Sequence, residues 1–240
     1  MTSDRSPRGA TALLLLLAVP MITAAKPAKI PGDAPYCALP GARAVFVSPS
    51  GEPYRAVQGQ AYPSAGWAAA ADLDHDGKVS RSELAKDALR FFATLDSDHD
   101  GRLTPEEVAA YEHDVAPEIA LYSARREPGE VEKNGLFQRA ENQSESYYGP
   151  MGAGRYSWLN VPQPVASADA DVDRIVTAPE FSAAASRRFD ALAGGKMDGL
   201  RLADLPKTPA QQAIEGPCRP RPKPRKDDDR REQSEGRSRR

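Results

Sequence analysis

The chain has 240 residues, enough for one substantial domain or two small ones, and a formal net charge of −2. This near-neutral charge conceals an acidic central part, because many of the basic residues lie near the C-terminus, and no nucleic-acid partner is expected. The chain lacks the Gly-x-Ser-x-Gly elbow, the His-Glu-x-x-His motif and a phosphate-binding loop, so the sequence predicts that the protein is not an enzyme.

The first element in the chain is a predicted secretory signal peptide over residues 1–25. Arg5 and Arg8 precede an apolar run over residues 10–19, and small residues follow, as signal cleavage requires. The run is shorter than the ~20 apolar residues that span a bilayer. We therefore expect a secreted protein with no transmembrane segment after cleavage.

Residues 26–62 form a predicted extended N-terminal segment, in which the stretch VFVSPSGEPY is compatible with a small hairpin. The segment contains Cys37, and the second cysteine, Cys218, lies near the other end of the predicted folded part. In an oxidising compartment these two residues can form a disulfide. The sequence alone leaves the pairing open, because it does not show whether the α-carbons come within the roughly 4.4–6.8 Å that a bridge requires.

Two acidic loops lie in the predicted unit 1, residues 63–123: loop 1 over residues 72–83 and loop 2 over residues 96–107. Each loop has aspartate at positions 1, 3 and 5, glycine at position 6 and glutamate at position 12. Like charges this close repel one another unless a cation neutralises them, and Ca²⁺ takes about six to eight oxygen ligands from such a loop. The predicted ligands are Asp72, Asp74, Asp76, the Lys78 carbonyl, Ser80 and Glu83 in loop 1, and Asp96, Asp98, Asp100, the Arg102 carbonyl, Thr104 and Glu107 in loop 2.

Positions 9 and 12 of both loops also have the spacing of a helix capping box, Ser80 with Glu83 and Thr104 with Glu107. With this pattern the loops resemble EF-hand loops, and their short spacing in a secreted chain resembles the EF-hand proteins of the bacterial cell envelope. The resemblance implies an all-α bundle of helix-loop-helix type, two Ca²⁺ sites and a periplasmic location. Histidines occupy position 4 of both loops, which points away from the ion.

A second copy of the pattern appears when the sequence is shifted by 97 residues, beyond a predicted irregular linker over residues 124–165. In unit 2, residues 166–215, loop 3 (residues 169–180) keeps every side-chain ligand but has Arg174 at position 6. A β-carbon in a left-handed turn costs about 1 kcal/mol or more, so weaker binding is expected at this possible third site. Its predicted ligands are Asp169, Asp171, Asp173, the Ile175 carbonyl, Thr177 and Glu180. Loop 4, residues 193–204, lacks the ligands at positions 1, 3 and 5 and is expected to be metal-free.

The short spacing between loops 1 and 2 predicts one shared helix. Residues 84–95 are too few for an exit helix, a connection and a new entry helix, and their apolar residues recur at helical spacing. Loops at opposite ends of one helix cannot pair, so we expect pairing between the units, unless the units are independent. EF-hand loops pair through the apolar residue at position 8, and a two-fold arrangement would join loop 1 to loop 4 and loop 2 to loop 3. The position-8 residues of loops 1 to 4 are Val79, Leu103, Val176 and Leu200, in that order.

The aromatic residues of the linker allow two interpretations: they cover the core, or they form a binding site for a protein partner. They are Tyr147, Tyr148, Tyr156 and Trp158. The first reading is favoured, because such residues more often contribute to a core.

Residues 216–240 are predicted to be a disordered tail, with ten Lys or Arg and five acidic residues and no apolar periodicity. The leading hypothesis is calcium binding with a structural, buffering or modest regulatory role. The alternative is an envelope scaffold or adhesion protein, whose basic tail holds an anionic surface while Ca²⁺ supports the fold.

Overall fold

The computed structural model describes residues 30–32, 34–57, 59–120, 149–195 and 198–220. The predicted signal peptide, Tyr147, Tyr148 and the tail beyond residue 220 lie outside these ranges. Within them, no helix is both long enough and apolar enough to cross a bilayer.

The N-terminal segment contains an antiparallel hairpin of two short strands. Strand β1, Ala44–Val47, pairs with strand β2, Pro53–Ala56, and Phe46 lies opposite Tyr54. The connecting turn includes Gly51 at a φ of +104°, a conformation that suits glycine. The predicted hairpin is confirmed. Because this β element is part of the fold, the all-α prediction holds only in part: most of the regular structure is helical.

Unit 1 has one long helix between its two loops. Helix α1, Ser64–Ala71, leads into loop 1, and helix α2, Arg81–Leu95, runs from loop 1 to loop 2. Helix α2 buries Leu84, Ala88, Phe92 and Leu95 along one face, which confirms the predicted shared helix. Beyond loop 2 the chain forms helix α3, Pro105–Ala110, then a π-helical turn, Tyr111–Val115, and a 3₁₀ turn, Pro117–Ile119.

Unit 2 repeats this plan with a shorter entry. A 3₁₀ turn, Ala166–Ala168, precedes loop 3 where unit 1 has helix α1. The long helix α4, Ala178–Ala193, corresponds to α2 and ends at Gly194, whose φ of +56° stops the helix. The remaining elements are a 3₁₀ turn in the linker, Gly152–Arg155, another at Leu202–Asp204, and helix α5, Pro209–Glu215.

The helices that follow the loops begin at capping boxes. The side chains of Ser80 and Thr104 accept hydrogen bonds from the backbone N–H groups of Glu83 and Glu107, and the glutamates bond back to the cap residues. Both predicted boxes are confirmed, and Thr177 forms a third with Glu180. The caps satisfy N–H groups that the first helical turn leaves without a partner, so the helix starts are fixed locally.

The four loops pair between the units. Strand β3, Arg102–Leu103 of loop 2, pairs with strand β4, Val176–Thr177 of loop 3, with Leu103 opposite Val176. Val79 of loop 1 and Leu200 of loop 4 exchange backbone hydrogen bonds of 2.9 and 2.8 Å. This confirms the cross-unit, two-fold pairing.

Helices α2 and α4 pack against each other, and the rings of Phe92 and Phe181 meet edge to face with centroids 5.6 Å apart. The alternative of two independent units is therefore wrong.

The hairpin and part of the predicted linker complete the core. Phe46 is fully buried, and its ring centroid lies 4.6 Å from that of Trp158 and 5.7 Å from that of Trp67. Tyr156 also packs against the core, and its carbonyl accepts a 3.0 Å hydrogen bond from the Val47 amide. The prediction that linker aromatics cover the core is confirmed for Tyr156 and Trp158.

A disulfide joins the two ends of the described chain. Cys37 and Cys218 are bonded with their α-carbons 5.0 Å apart, so the open question about this pair is answered by a bridge. Beside it, the amide of Cys37 donates to the carbonyl of Arg219 at 2.8 Å. Residues 216–220 therefore make defined contacts, which differs from the prediction of a disordered tail from residue 216, because the disulfide and this pairing hold the segment in place.

Candidate metal centre

Loop 1 gathers its aspartates around one point. Asp72, Asp74 and Asp76 each place a carboxylate oxygen within 4.8 Å of the others. Backbone amides inside the loop hold these carboxylates: Asp72 accepts from the Gly77 amide at 2.9 Å, and Asp76 accepts from the Lys78 amide at 2.8 Å. The loop therefore presents converging anionic oxygens on a preformed turn.

Loop 2 has nearly the same geometry, with one ligand more deeply set. Oxygens of Asp96, Asp98 and Glu107 lie within 4.8 Å of one another. Asp96 accepts from the Gly101 amide at 2.9 Å and is only 6% exposed. A carboxylate that is shielded from water interacts more strongly with a cation than an exposed one, because the local dielectric constant is lower.

Loop 3 brings together Asp169, Asp171 and Glu180, again within 4.8 Å. Arg174 takes the left-handed turn at position 6 with a φ of +72°, where loops 1 and 2 have glycine at +81°. Its amide still donates to Asp169, at 2.9 Å. The substitution thus preserves the turn and adds backbone strain to it.

In loops 1, 2 and 3, the glutamate at position 12 accepts hydrogen bonds from both ends of its loop. Glu83 accepts hydrogen bonds from the Leu73 amide at 2.7 Å and from the Ser80 amide at 2.8 Å. Glu107 and Glu180 bond the corresponding amides of loops 2 and 3. Each glutamate therefore closes its loop onto the first turn of the following helix.

These hydrogen bonds lower the pKa of all three glutamates to about 2. For Glu107 and Glu180 the main causes are the backbone N–H groups of Thr104 and Thr177. For Glu83, burial acts to raise the pKa, but the hydrogen bonds from Ser80, Leu73 and Asp74 together outweigh it. The position-12 carboxylates are accordingly ionised at neutral pH, as a cation ligand must be.

Loop 4 brings no comparable acidic group together among the described residues. Its Leu200 is engaged in the pairing with loop 1, and its Asp198 forms an ion pair with Lys78 at 3.6 Å. This ion pair was not predictable from the sequence, because nothing local links position 7 of loop 1 to a residue so distant in the chain. Loop 4 is thus the structural partner of loop 1.

The two loop histidines stand apart from the acidic clusters. His75 and His99 are exposed and have φ values of +59° and +61° at position 4. Neither belongs to a group of side chains whose ligand atoms converge within the described residues. The geometry agrees with the expectation that these side chains point away from the ion.

The donors in loops 1, 2 and 3 are all oxygen atoms, and carboxylates predominate. Hard cations such as Ca²⁺ prefer such donors, whereas transition metals favour imidazole or thiolate ligands. The converging carboxylates therefore fit a hard divalent cation. The carbonyls of Lys78, Arg102 and Ile175, at position 7, are predicted to complete the ligand sets.

The turn at Arg174 leads to a prediction about stability. Arg174 occupies the left-handed region of the backbone, where its β-carbon is strained, and this strain belongs to the folded turn. Arg174→Gly is therefore expected to raise the free energy of unfolding in chelator by about 1 kcal/mol, partly offset by greater freedom of the unfolded chain.

The reverse change, Gly101→Arg, is the matched control in loop 2. A β-carbon at Gly101 would meet no heavy atom within 4 Å, so only the backbone resists the substitution. We expect a loss of about 1 kcal/mol in urea unfolding. Equal stability of both variants and the unmodified protein would show that position 6 carries no strain.

Comparison with known proteins identifies one family in part of the chain. The EF hand model matches residues 69–86 and 90–110, which include the whole of loops 1 and 2. No curated protein and no solved structure matches the chain. The two adjacent matches, together with the acidic clusters of the loops, support an EF-hand calcium-binding protein.

Proposed function

We propose that this chain is a secreted, periplasmic calcium-binding protein in which Ca²⁺ has a mainly structural role. The observation that carries the proposal is the convergence of three acidic side chains in each of loops 1, 2 and 3, two of which lie in EF-hand matches. Loops 1 and 2 are the two principal sites, and loop 3 is a third. The side-chain ligands are those expected from the sequence, at positions 1, 3, 5, 9 and 12 of each loop.

Bound Ca²⁺ supplies positive charge that offsets the repulsion among the carboxylates of a loop. In unit 1 each end of α2 lies against an acidic loop, and the loops in turn pair with loops of unit 2. A cation held in a loop therefore stabilises the junction between the units as well as the loop. Binding to the folded chain alone stabilises it by mass action.

The secreted location rests on two features. The N-terminal pattern is that of a signal peptide, and the Cys37–Cys218 disulfide suits an oxidising compartment. Extracellular calcium modules commonly bind at about 10⁻⁴–10⁻³ M, weakly enough to be occupied only where calcium is plentiful. A structural ion in a secreted protein fits this range.

Glu107→Gln tests the site assignment in loop 2. Glutamine can still act as the position-12 partner in a capping box, so helix α3 should keep its cap while the anionic ligand is lost. We expect the affinity of one site to fall roughly 100-fold or more, exceeding the 10–100-fold that loss of an outer-shell partner typically costs. Calorimetric titration with Ca²⁺ measures the change.

Glu106→Gln is the control for this experiment. Glu106 is exposed in the same helical turn and belongs to none of the converging acidic groups, and its replacement removes the same charge. The account predicts nearly unchanged calcium affinity. Equal weakening by both variants would mean that overall charge, rather than ligation by Glu107, controls binding.

A further inference from the structure

We propose that the β1–β2 hairpin permanently covers the apolar face shared by the two units. Buried hydrogen bonds between the entry segments and the long helices keep both units closed when calcium binds. In EF-hand sensors, calcium binding opens a helix pair and exposes an apolar groove for a target. Here the hairpin packs against helix α1 and the linker, and its tip reaches the long helices α2 and α4. The inference rests on the proposed function, because it states how this chain responds to calcium.

The inner face of the hairpin is buried against both the entry helix of unit 1 and the linker. Phe46 and Val47 are 0% exposed. The rings of Phe46, Trp67 and Trp158 form a trio, with Trp67 and Trp158 centroids 5.5 Å apart. Removing the hairpin would expose this aromatic cluster to water.

The tip of the hairpin lies between the units and contacts each. The Gly51 carbonyl accepts a 2.7 Å hydrogen bond from the Tyr111 hydroxyl, in the turn that follows helix α3. A β-carbon at Gly51 would lie 2.9 Å from Pro164, which precedes loop 3, so no side chain fits there.

Both long helices also contact the hairpin tip. Arg188 of α4 donates to the Pro49 carbonyl at 3.0 Å, and Arg90 of α2 forms an ion pair with Glu52. The tip is thus fixed from both sides.

Each unit also ties one equivalent residue of its entry segment to its long helix, although the helix partners, Asp87 and Arg188, are not equivalent under the repeat. In unit 1 the Trp67 indole N–H donates to Asp87 of α2 at 3.0 Å. In unit 2 Arg188 of α4 donates to the carbonyl of Pro164, at 2.5 Å. Trp67 and Pro164 correspond under the 97-residue shift and stand at equivalent distances before loops 1 and 3. We call these two hydrogen bonds the latches.

The burial of the latches makes them costly to break. Arg188 is 7% exposed, and its guanidinium also donates to the Ser167 hydroxyl at 2.9 Å. An opening motion would swing the entry segments away from α2 and α4, taking Pro164 and Ser167 from the buried Arg188 and Trp67 from the buried Asp87, which would keep its ion pair with Arg90. Leaving such groups unsatisfied costs more than the hydrogen bonds themselves contribute. Calcium can therefore tighten the loops without parting the helices.

The test compares the full oxidised chain with a double variant, Trp67→Phe with Arg188→Met, which removes both latches and keeps side chains of similar size. Calorimetry measures calcium binding, and fluorescence of an apolar dye measures exposed apolar surface. Hydrogen exchange measures protection of two hairpin amides, Val47, which donates to Tyr156, and Ser48, which donates to the Glu52 carbonyl at 2.9 Å. The control is Arg187→Met, because Arg187 is exposed, lies next to Arg188 on the same helix and forms neither latch.

For the unmodified chain and the control we expect heat of Ca²⁺ binding, no rise in dye fluorescence, and protection of both amides that is at least as high with calcium as with chelator. For the double variant we expect a severalfold, calcium-dependent rise in dye fluorescence. If the unmodified chain shows heat of Ca²⁺ binding and also binds the dye or loses hydrogen-exchange protection at the hairpin amides, the inference alone is overturned. If calorimetry detects no heat of Ca²⁺ binding, the proposed function is overturned, and the inference with it. If the double variant does not fold, the exchange measurement on the unmodified chain still decides.

Discussion

Replacing both Cys37 and Cys218 by serine is expected to lower the free energy of unfolding by about 5 kcal/mol. The disulfide spans a sequence separation of 181 residues, so it closes a very long loop and strongly restricts the unfolded chain. Urea unfolding in saturating calcium, with and without the bond, measures the change.

Reducing agent provides the control for this variant. It should destabilise the unmodified protein by a similar amount and leave the serine variant unchanged, since that variant has no cysteine left. The backbone bonds beside the bridge, such as Cys37 to Arg219 at 2.8 Å, keep the native ends close in either case. A loss below about 1 kcal/mol would contradict the expectation from loop closure.

Phe46→Ala is expected to cost about 3–5 kcal/mol, the usual range for deleting a buried phenylalanine side chain. The ring is fully buried and packs at a tilt against the rings of Trp67 and Trp158, so its loss leaves a cavity in the region where the hairpin, unit 1 and the linker meet. Thermal and urea unfolding measure the loss.

Val57→Ala is the control, because Val57 lies just beyond strand β2 and is 59% exposed. Its truncation should change stability by no more than about 0.5 kcal/mol. Similar small effects of both substitutions would show that the hairpin packs loosely and would weaken the proposal that it occupies the shared face.

The loops and their pairing were predictable from the sequence because their determinants are local. The spacing of acidic residues specifies the turn, and Ser80 and Thr104 with their glutamates specify where each helix begins. The short interval between loops 1 and 2 rules out pairing within unit 1. The apolar residue at position 8 then leaves the two units as each other's partners, as the Leu103–Val176 pair shows.

The role of the hairpin and linker was not predictable in the same way. Phe46 and Trp158 are far apart in the sequence and meet only through the tertiary fold, and short apolar stretches do not indicate which surface they cover. Arg188 is a still harder case. On a helix it looks like any solvated arginine, and only the structure shows that its partners are the Pro49 and Pro164 carbonyls.

The most direct test of the central claim is a calorimetric Ca²⁺ titration of the purified, oxidised chain with Mg²⁺ as competitor, joined to thermal unfolding in calcium and in chelator. The account predicts binding at loops 1 and 2, weaker binding at loop 3, preference over Mg²⁺, and a clear rise in Tm with calcium. No binding heat, and the same Tm after chelation as after millimolar calcium is restored, would contradict it.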